Sequence, residues 1–188
     1  MLNWSAHLPD ESLWYRLAEP DDADLDVFTS GGTSEAIEVN DYFTSRQWYD
    51  YGKGVAKPPV FQFGTPGEVV GYLAISFANK PHPSERSPSK ARYLVVYVVG
   101  IHERFQGTVN PHSHKGERFS DTVIRAVEQT FAREKTGCVG VYLRVRQSNA
   151  RAVAFYRRLG FLEDPGGPMV VNEEAPQFVM RKLFDKPT

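Results

Sequence analysis

The chain has 188 residues, 41% of them hydrophobic and 24% charged, with a formal net charge of −1. That length suits one domain over 1–188 with a sizeable core, and the balanced charge excludes a whole-molecule attraction to nucleic acid or to an anionic membrane. Cys138 is the only cysteine, which excludes an intrachain disulfide framework and a Cys-rich zinc site and fits a reducing compartment. In chain order, MLNWSAHLPDESLW carries acids and no apolar segment, so it does not read as a secretory signal. No apolar stretch approaches the ~20 residues that span a bilayer. The expectation is a cytoplasmic protein without a membrane partner.

Leu13 to Glu19 alternates as a first strand. Pro20 and Asp21 stand in helix-start positions. Ala36, Ile37, Val39, Tyr42 and Phe43 form a helical stripe, with Ser34 as the expected N-cap. Val60 to Phe63 and Val69 to Phe77 read as strands joined through GTPGE in a hairpin. The polar, proline-rich NKPHPSERSPSK reads as a surface loop. Arg92 to Ile101 is apolar on both faces, the mark of a central strand covered twice.

RFQGTVNPHSHKGERFSD, Arg104 to Asp121, follows that strand and leads into a helix with Phe119, Val123, Ala126, Val127, Thr130 and Phe131 on one face. Gly137 sits where a C-cap glycine would. Cys138 to Arg146 is a strand, SNARAVAFYRRLG a short helix with Ser148 as expected N-cap and Gly160 at its end, and QFVMRKLF a last strand. This order makes an α/β (α+β) chain with a mixed sheet. The strand–loop–helix–strand segment over 92–145 is a crossover unit whose helix N-terminus suits an anion. His112 and His114, with His102 nearby, lack a third ligand at set spacing, so no metal is expected. Cys138 has no linked histidine and reads as a strand cysteine, not a nucleophile.

Asn149, Ala152, Phe155-Tyr156 and Gly160-Phe161, with Gln106-Gly107 ahead of the preceding helix, carry a resemblance to the GNAT superfamily of acyl-CoA-dependent N-acetyltransferases. It covers Val69 to Phe161. It implies a mostly antiparallel sheet with splayed central strands flanked by helices, and acetyl-CoA as co-substrate. The pantetheine then pairs with the strand edge at Val99, Gly100 and Ile101. Gln106 and Gly107 begin the pyrophosphate loop, Gly116 and Ser120 are candidates for its helix side, and TVNPHSHK is an insertion. Arg118 and Lys115 stand where they would neutralise phosphate. By the same mapping Asn149 hydrogen-bonds the pantetheine arm and Tyr156 is the acid for the departing thiolate.

Each assignment has a structural counterpart. Tyr156 reads equally as a packed amphipathic residue, Asn149 as a cap, and Gly107 and Gly116 as turn glycines. No general base stands out; Glu103, Tyr97 and Tyr93 are the nearest candidates. Arg144, Arg146, Arg151, Arg157 and Arg158 read as a solvated face or as contacts to CoA phosphates, an anionic substrate or RNA. The expected reaction is transfer of an acetyl group to a primary amine on a small molecule or a protein. FTSGGTSEAIEVNDYFTSRQW resembles the helical arm of tRNA-acetylating toxins, which adds aminoacyl-tRNA as an alternative acceptor. A non-catalytic acyl-CoA-binding module is the other alternative, and a homodimer is compatible with any of these.

Overall fold

The computed structural model describes residues 6–7, 13–81, 90–113, 115–132, 137–170 and 175–184. Its strands are β1 (Ala6–His7), β2 (Trp14–Leu17), β3 (Tyr49–Asp50), β4 (Val55–Ala56), β5 (Val60–Thr65), β6 (Glu68–Pro81), β7 (Lys90–Ile101), β8 (Cys138–Arg146), β9 (Leu162–Glu163) and β10 (Gln177–Leu183). The helices are α1 (Ser34–Thr44), α2 (Phe119–Ala126) and α3 (Ala150–Arg158). Short 3-10 turns cover Ala23–Leu25 and Glu103–Phe105, and a π-helical stretch, Val127–Ala132, extends α2. The chain forms two compact units, Met1–Ile75 with Tyr97–Val127 and Ser76–Val96 with Glu128–Thr188. This is the mixed, mostly antiparallel α/β fold that the order of elements implied.

In the first unit the strands follow the hydrogen-bonded order β1-β2-β5-β6-β7. The expected β5–β6 hairpin forms, with Val60 opposite Ala74 and a register shift at Phe63/Gly64. Gly67 turns it at φ +82°, a conformation that glycine adopts without steric cost. Ala18, Leu25, Phe28, Phe43, Trp48, Val60, Tyr72 and Ala74 make the core, with Val39, Tyr42 and Val98 packed against it. The cap of α1 lies one residue earlier than expected, so that the helix begins at Ser34 itself. Thr33 is extended and its hydroxyl accepts from the Ala36 N–H at 3.2 Å, while the Ser34 hydroxyl turns to Glu35. The helix expected from Pro20 shrinks to the 3-10 turn at Ala23–Leu25.

In the second unit the order is β6-β7-β8-β10-β9. β7 and β8 run parallel from Arg92↔Cys138 to Val96↔Leu143, as the crossover reading requires, because parallel neighbours cannot be joined by a tight turn. β10 returns antiparallel on β8, with Met180 opposite Leu143. Tyr93, Val95, Tyr142 and Val179 form the core. Buried Arg181 lies 5.7 Å from the Tyr93 ring centroid and 5.4 Å from that of Tyr142, and it pairs with Asp164. The expected surface loop from Asn79 to Lys90 is shorter than its composition suggested: β6 continues to Pro81 and β7 starts at Lys90. Residues 82–89 lie outside the described residues, as do the side chains of Thr130 and Phe131.

Two glycines decide how closely the first unit packs. A Cβ on Gly71 would lie 2.0 Å from the Gly100 carbonyl oxygen. A Cβ on Gly100 would meet Phe28 at 2.7 Å, Val39 at 2.8 Å and Phe43 at 3.0 Å. Gly100 is therefore small because core side chains press on it, and its own carbonyl closes on Gly71. Gly100→Ala should destabilise the protein by about 1–3 kcal/mol through overpacking, measured by urea denaturation. An unchanged midpoint would mean that the aromatic cluster yields freely.

Candidate active site

Val99 to Ser120 belong to the first unit. Its stretch of β7 runs from Tyr97 to Ile101, past Val96, the last residue of the strand in register with β8. Tyr97 is 48% exposed, which ends the buried run Tyr93–Val96. Past the strand, the His102 N–H donates to the Val70 carbonyl at 2.8 Å and the Glu103 N–H to Thr29 at 2.8 Å. Gln106 Nε2 donates to the carbonyls of Ser30 at 2.7 Å and Ile101 at 3.0 Å. Its backbone N–H goes to Glu103. Gln106 thus fastens the turn to the strand and to the Thr29–Gly31 segment, a structural employment that removes its amide as a free donor. Gly107 turns the chain at φ +73° with open space around its Cβ position.

The insertion closes on itself. Val109 and Arg118 form an isolated antiparallel bridge, the Asn110 N–H donates to the Glu117 carbonyl at 2.8 Å, and the Phe119 N–H donates to the Thr108 carbonyl at 3.2 Å. Asn110 is fully buried and its Oδ1 accepts the His112 N–H; Ser113 Oγ accepts the N–H groups of Lys115 and Glu117. The stretched loop expected from sequence is therefore a pinched hairpin that sets Thr108 beside the first residue of α2. Gly116 belongs to this hairpin: its φ is +62° and its N–H is held by Ser113. It is a turn glycine and offers no cradle donor.

Ser120 keeps the position expected of it, in the first turn of α2, where backbone N–H groups lack helical partners and favour an anion. Arg118 is the N-cap residue, with no side-chain cap. Arg118 and Lys115 are exposed, and neither has an ion pair among the described residues. Glu117 is neutralised by Arg125, while Asp121 adds a negative charge to the same turn. The residues thus fit a phosphate-bearing ligand through the Ser120 turn, Arg118 and Lys115, with Val99 and Ile101 at the end of β7 beyond its register with β8. His114 lies outside the described residues, and no cluster of three metal-binding side chains occurs among those described.

In the second unit, Asn149 caps α3: its Oδ1 accepts the Ala152 N–H at 2.9 Å. The cap was expected at Ser148, one residue earlier. Only the amide hydrogens of Asn149 remain for a ligand. Tyr156, 7% exposed, stacks edge-on between Phe155 and Phe161 at 5.0 and 5.4 Å. Burial pushes its phenol well above the ordinary tyrosine value, so it stays protonated. Among the base candidates, Tyr93 is fully buried, and Glu103 is exposed in its turn. Burial raises the Cys138 thiol, which suits its structural reading. Of the arginines, Arg157 bonds Glu163 at 2.7 Å, and Arg158 lies over Phe155 at 5.5 Å.

Sequence reasoning missed Glu38, Asp41 and Tyr42 of α1 as anything beyond a helix face. With Trp48, Lys57 and Tyr97 they line an open groove of about 820 Å³ in the first unit. The available signal was a pair of acids one turn apart beside a stripe tyrosine.

The Acetyltransferase (GNAT) family model matches residues 27–161. No curated protein matches the chain. Among solved structures, a Tyr-to-Phe mutant of the AtaT toxin bound to the C-terminus of the antitoxin AtaR and acetyl-CoA superposes with a TM-score of 0.56. It has 19% identity over 92% of this chain and 93% of that one. Arabidopsis thaliana NAA60 in complex with a bisubstrate analogue gives 0.55, with 15% identity over 92% and 99%. AtaT complexed with acetyl-methionyl-tRNAfMet gives 0.52, with 17% identity over 88% and 93%. At these identities the likeness is one of fold.

The two employments of Asn149 can be separated. Asn149→Ala should cost about 0.5–2 kcal/mol through the lost cap, whereas Asn149→Asp should retain the cap and replace the amide donor with a carboxylate that only accepts. If Asn149→Asp also leaves acetyl-CoA affinity unchanged in calorimetry, the residue is a cap alone.

Proposed function

The chain belongs to the GNAT family of acetyl-CoA-dependent acetyltransferases, and from that membership we propose that it acetylates a primary amine by direct attack on the thioester, with Tyr156 as the acid. The observation that carries this reading is the buried phenol of Tyr156, set between Phe155 and Phe161 within the Asn149…Phe155-Tyr156…Gly160-Phe161 pattern. Acetyl-CoA supplies an activated acyl carbon whose C–S bond breaks as the C–N bond to the amine forms.

The chain's own residues then divide the work three ways. By the family mapping, the first unit's share is the backbone of Val99 and Ile101 at the end of β7, assigned to the pantetheine amides; in the second unit the same mapping gives Asn149 an amide donor. Ser120, Arg118 and Lys115 meet the phosphates with a helix start and two cations. Tyr156 gives its proton to the departing thiolate and recovers one from solvent, while the amine nitrogen releases one to solvent. Positioning two reactants can itself remove several kcal/mol, roughly 7–11 at best, from the barrier.

A narrower reading, acetylation of the α-amine of aminoacyl-tRNA, draws on the fold likeness to AtaT. It requires growth arrest when the protein is expressed; normal growth with the protein accumulating would rule it out.

Tyr156→Phe should lower kcat by about 10²–10⁴-fold and leave acetyl-CoA affinity within about twofold, since no hydrogen bond to the phenol occurs among the described residues. Because burial raises its pKa, the wild-type rate should show no descending limb up to about pH 10, the ordinary tyrosine value. Unchanged turnover in the variant would remove Tyr156 from the mechanism. No acetyl-CoA binding at millimolar ligand would favour a non-catalytic module.

A further inference from the structure

The groove beside α1 has a chemistry of its own. Glu38 and Asp41 are exposed and stand one helical turn apart on one wall, a spacing that puts two side chains on the same helix face. Tyr42 follows Asp41, and its buried hydroxyl has no hydrogen-bond partner among the described residues. Burial, and secondarily the neighbouring Tyr97 phenol, pushes it up to about 12, so it remains a neutral donor. Trp48 and Tyr97 add aromatic surface, and Lys57 is the one cation among the lining residues. The volume, about 820 Å³, falls within the range of small-molecule sites. The groove also includes Val98, whose chain neighbour Val99 begins the edge expected to hold pantetheine.

We propose that this groove binds the acceptor, and that the acceptor is a small aliphatic amine carrying a second positive charge, a diamine or polyamine. The inference rests on the acetyl-transfer reading for its chemical purpose but not for its test. An ammonium group held by carboxylates is stabilised in its charged form. Glu38 and Asp41 would therefore oppose attack if they gripped the reacting nitrogen. Their placement is useful when they grip a different cationic end and leave the reacting amine to lose its proton beside β7. The aromatic walls suit an alkyl chain and a cation, and an anionic acceptor is disfavoured by the same two carboxylates.

The test is calorimetric titration of the full chain with hexane-1,6-diamine and with 6-aminohexanoate, which has the same length but a carboxylate at one end. The diamine should bind at least tenfold more tightly, equivalent to about 1.4 kcal/mol. In the Glu38→Gln/Asp41→Asn double variant that preference should fall below about threefold, with a cooperative thermal transition retained because both side chains are exposed. Glu38→Lys alone should reverse the preference, which guards against an effect of packing. Equal binding of the two probes by the wild type, or a preference that survives the double variant, overturns the proposal. A parallel titration with acetyl-CoA reports on the acetyl-transfer reading separately. If the diamine preference holds while acetyl-CoA fails to bind, the groove stands and the enzymatic reading falls; the reverse pattern retires the groove alone.

Discussion

The contact on which the first unit depends is the backbone approach at Gly71 and Gly100. The Gly100 carbonyl occupies space that any side chain on Gly71 would need, and Phe28, Val39 and Phe43 fill the space beside Gly100 itself. Phe28 meets Phe43 and Tyr72 edge-on at 5.7 and 5.2 Å. Such pairs add about 0.5–1.5 kcal/mol each beyond the area they bury. The end of β7 is therefore pressed from the core side, beyond the residues in register with β8. Val98 packs against that core, and Tyr97 lines the groove beside α1.

The insertion shows how a sequence signal can be right about location and incomplete about form. Gln106 and Gly107 mark the end of a strand, and Phe119 opens a helix, so a loop between them was legible. Its closure is made by backbone groups of Thr108, Val109, Asn110, Glu117, Arg118 and Phe119, and backbone hydrogen bonds leave little trace in residue type. Once closed, the hairpin costs the helix start only the Phe119 N–H. Ser120 keeps its place, and the cations of the insertion stay close to it along the chain. Of the histidines in this stretch, His112 belongs to the hairpin, where its N–H serves Asn110.

The helices were legible in kind and slightly misplaced at their starts. Thr33 and Asn149 cap α1 and α3 where Ser34 and Ser148 were expected. In each case two adjacent residues could accept a backbone N–H, and only the chain's approach selects one. The fold class, the β5–β6 hairpin and the crossover from β7 to β8 followed from periodicity and order. The burial of Tyr156 was also implicit in its helical stripe. The groove was not legible, because Glu38 and Asp41 on α1, Lys57 beyond β4 and Tyr97 on β7 are joined only by folding.

The groove also bears on turnover. Acetylation converts one amine of a dication to a neutral amide, so the product carries less charge than the substrate. Glu38 and Asp41 grip the end of the acceptor that does not react, so that contact persists in the product. If each carboxylate contributes as an exposed ion pair does, roughly 0.2–1 kcal/mol, the retained hold is modest and the exchange of product for substrate is gentle. Buried carboxylates would bind the acceptor more strongly and would also raise the amine's pKa against the reaction. Exposed carboxylates at Glu38 and Asp41 avoid that conflict, with enough charge to select the acceptor and too little to keep its nucleophile protonated.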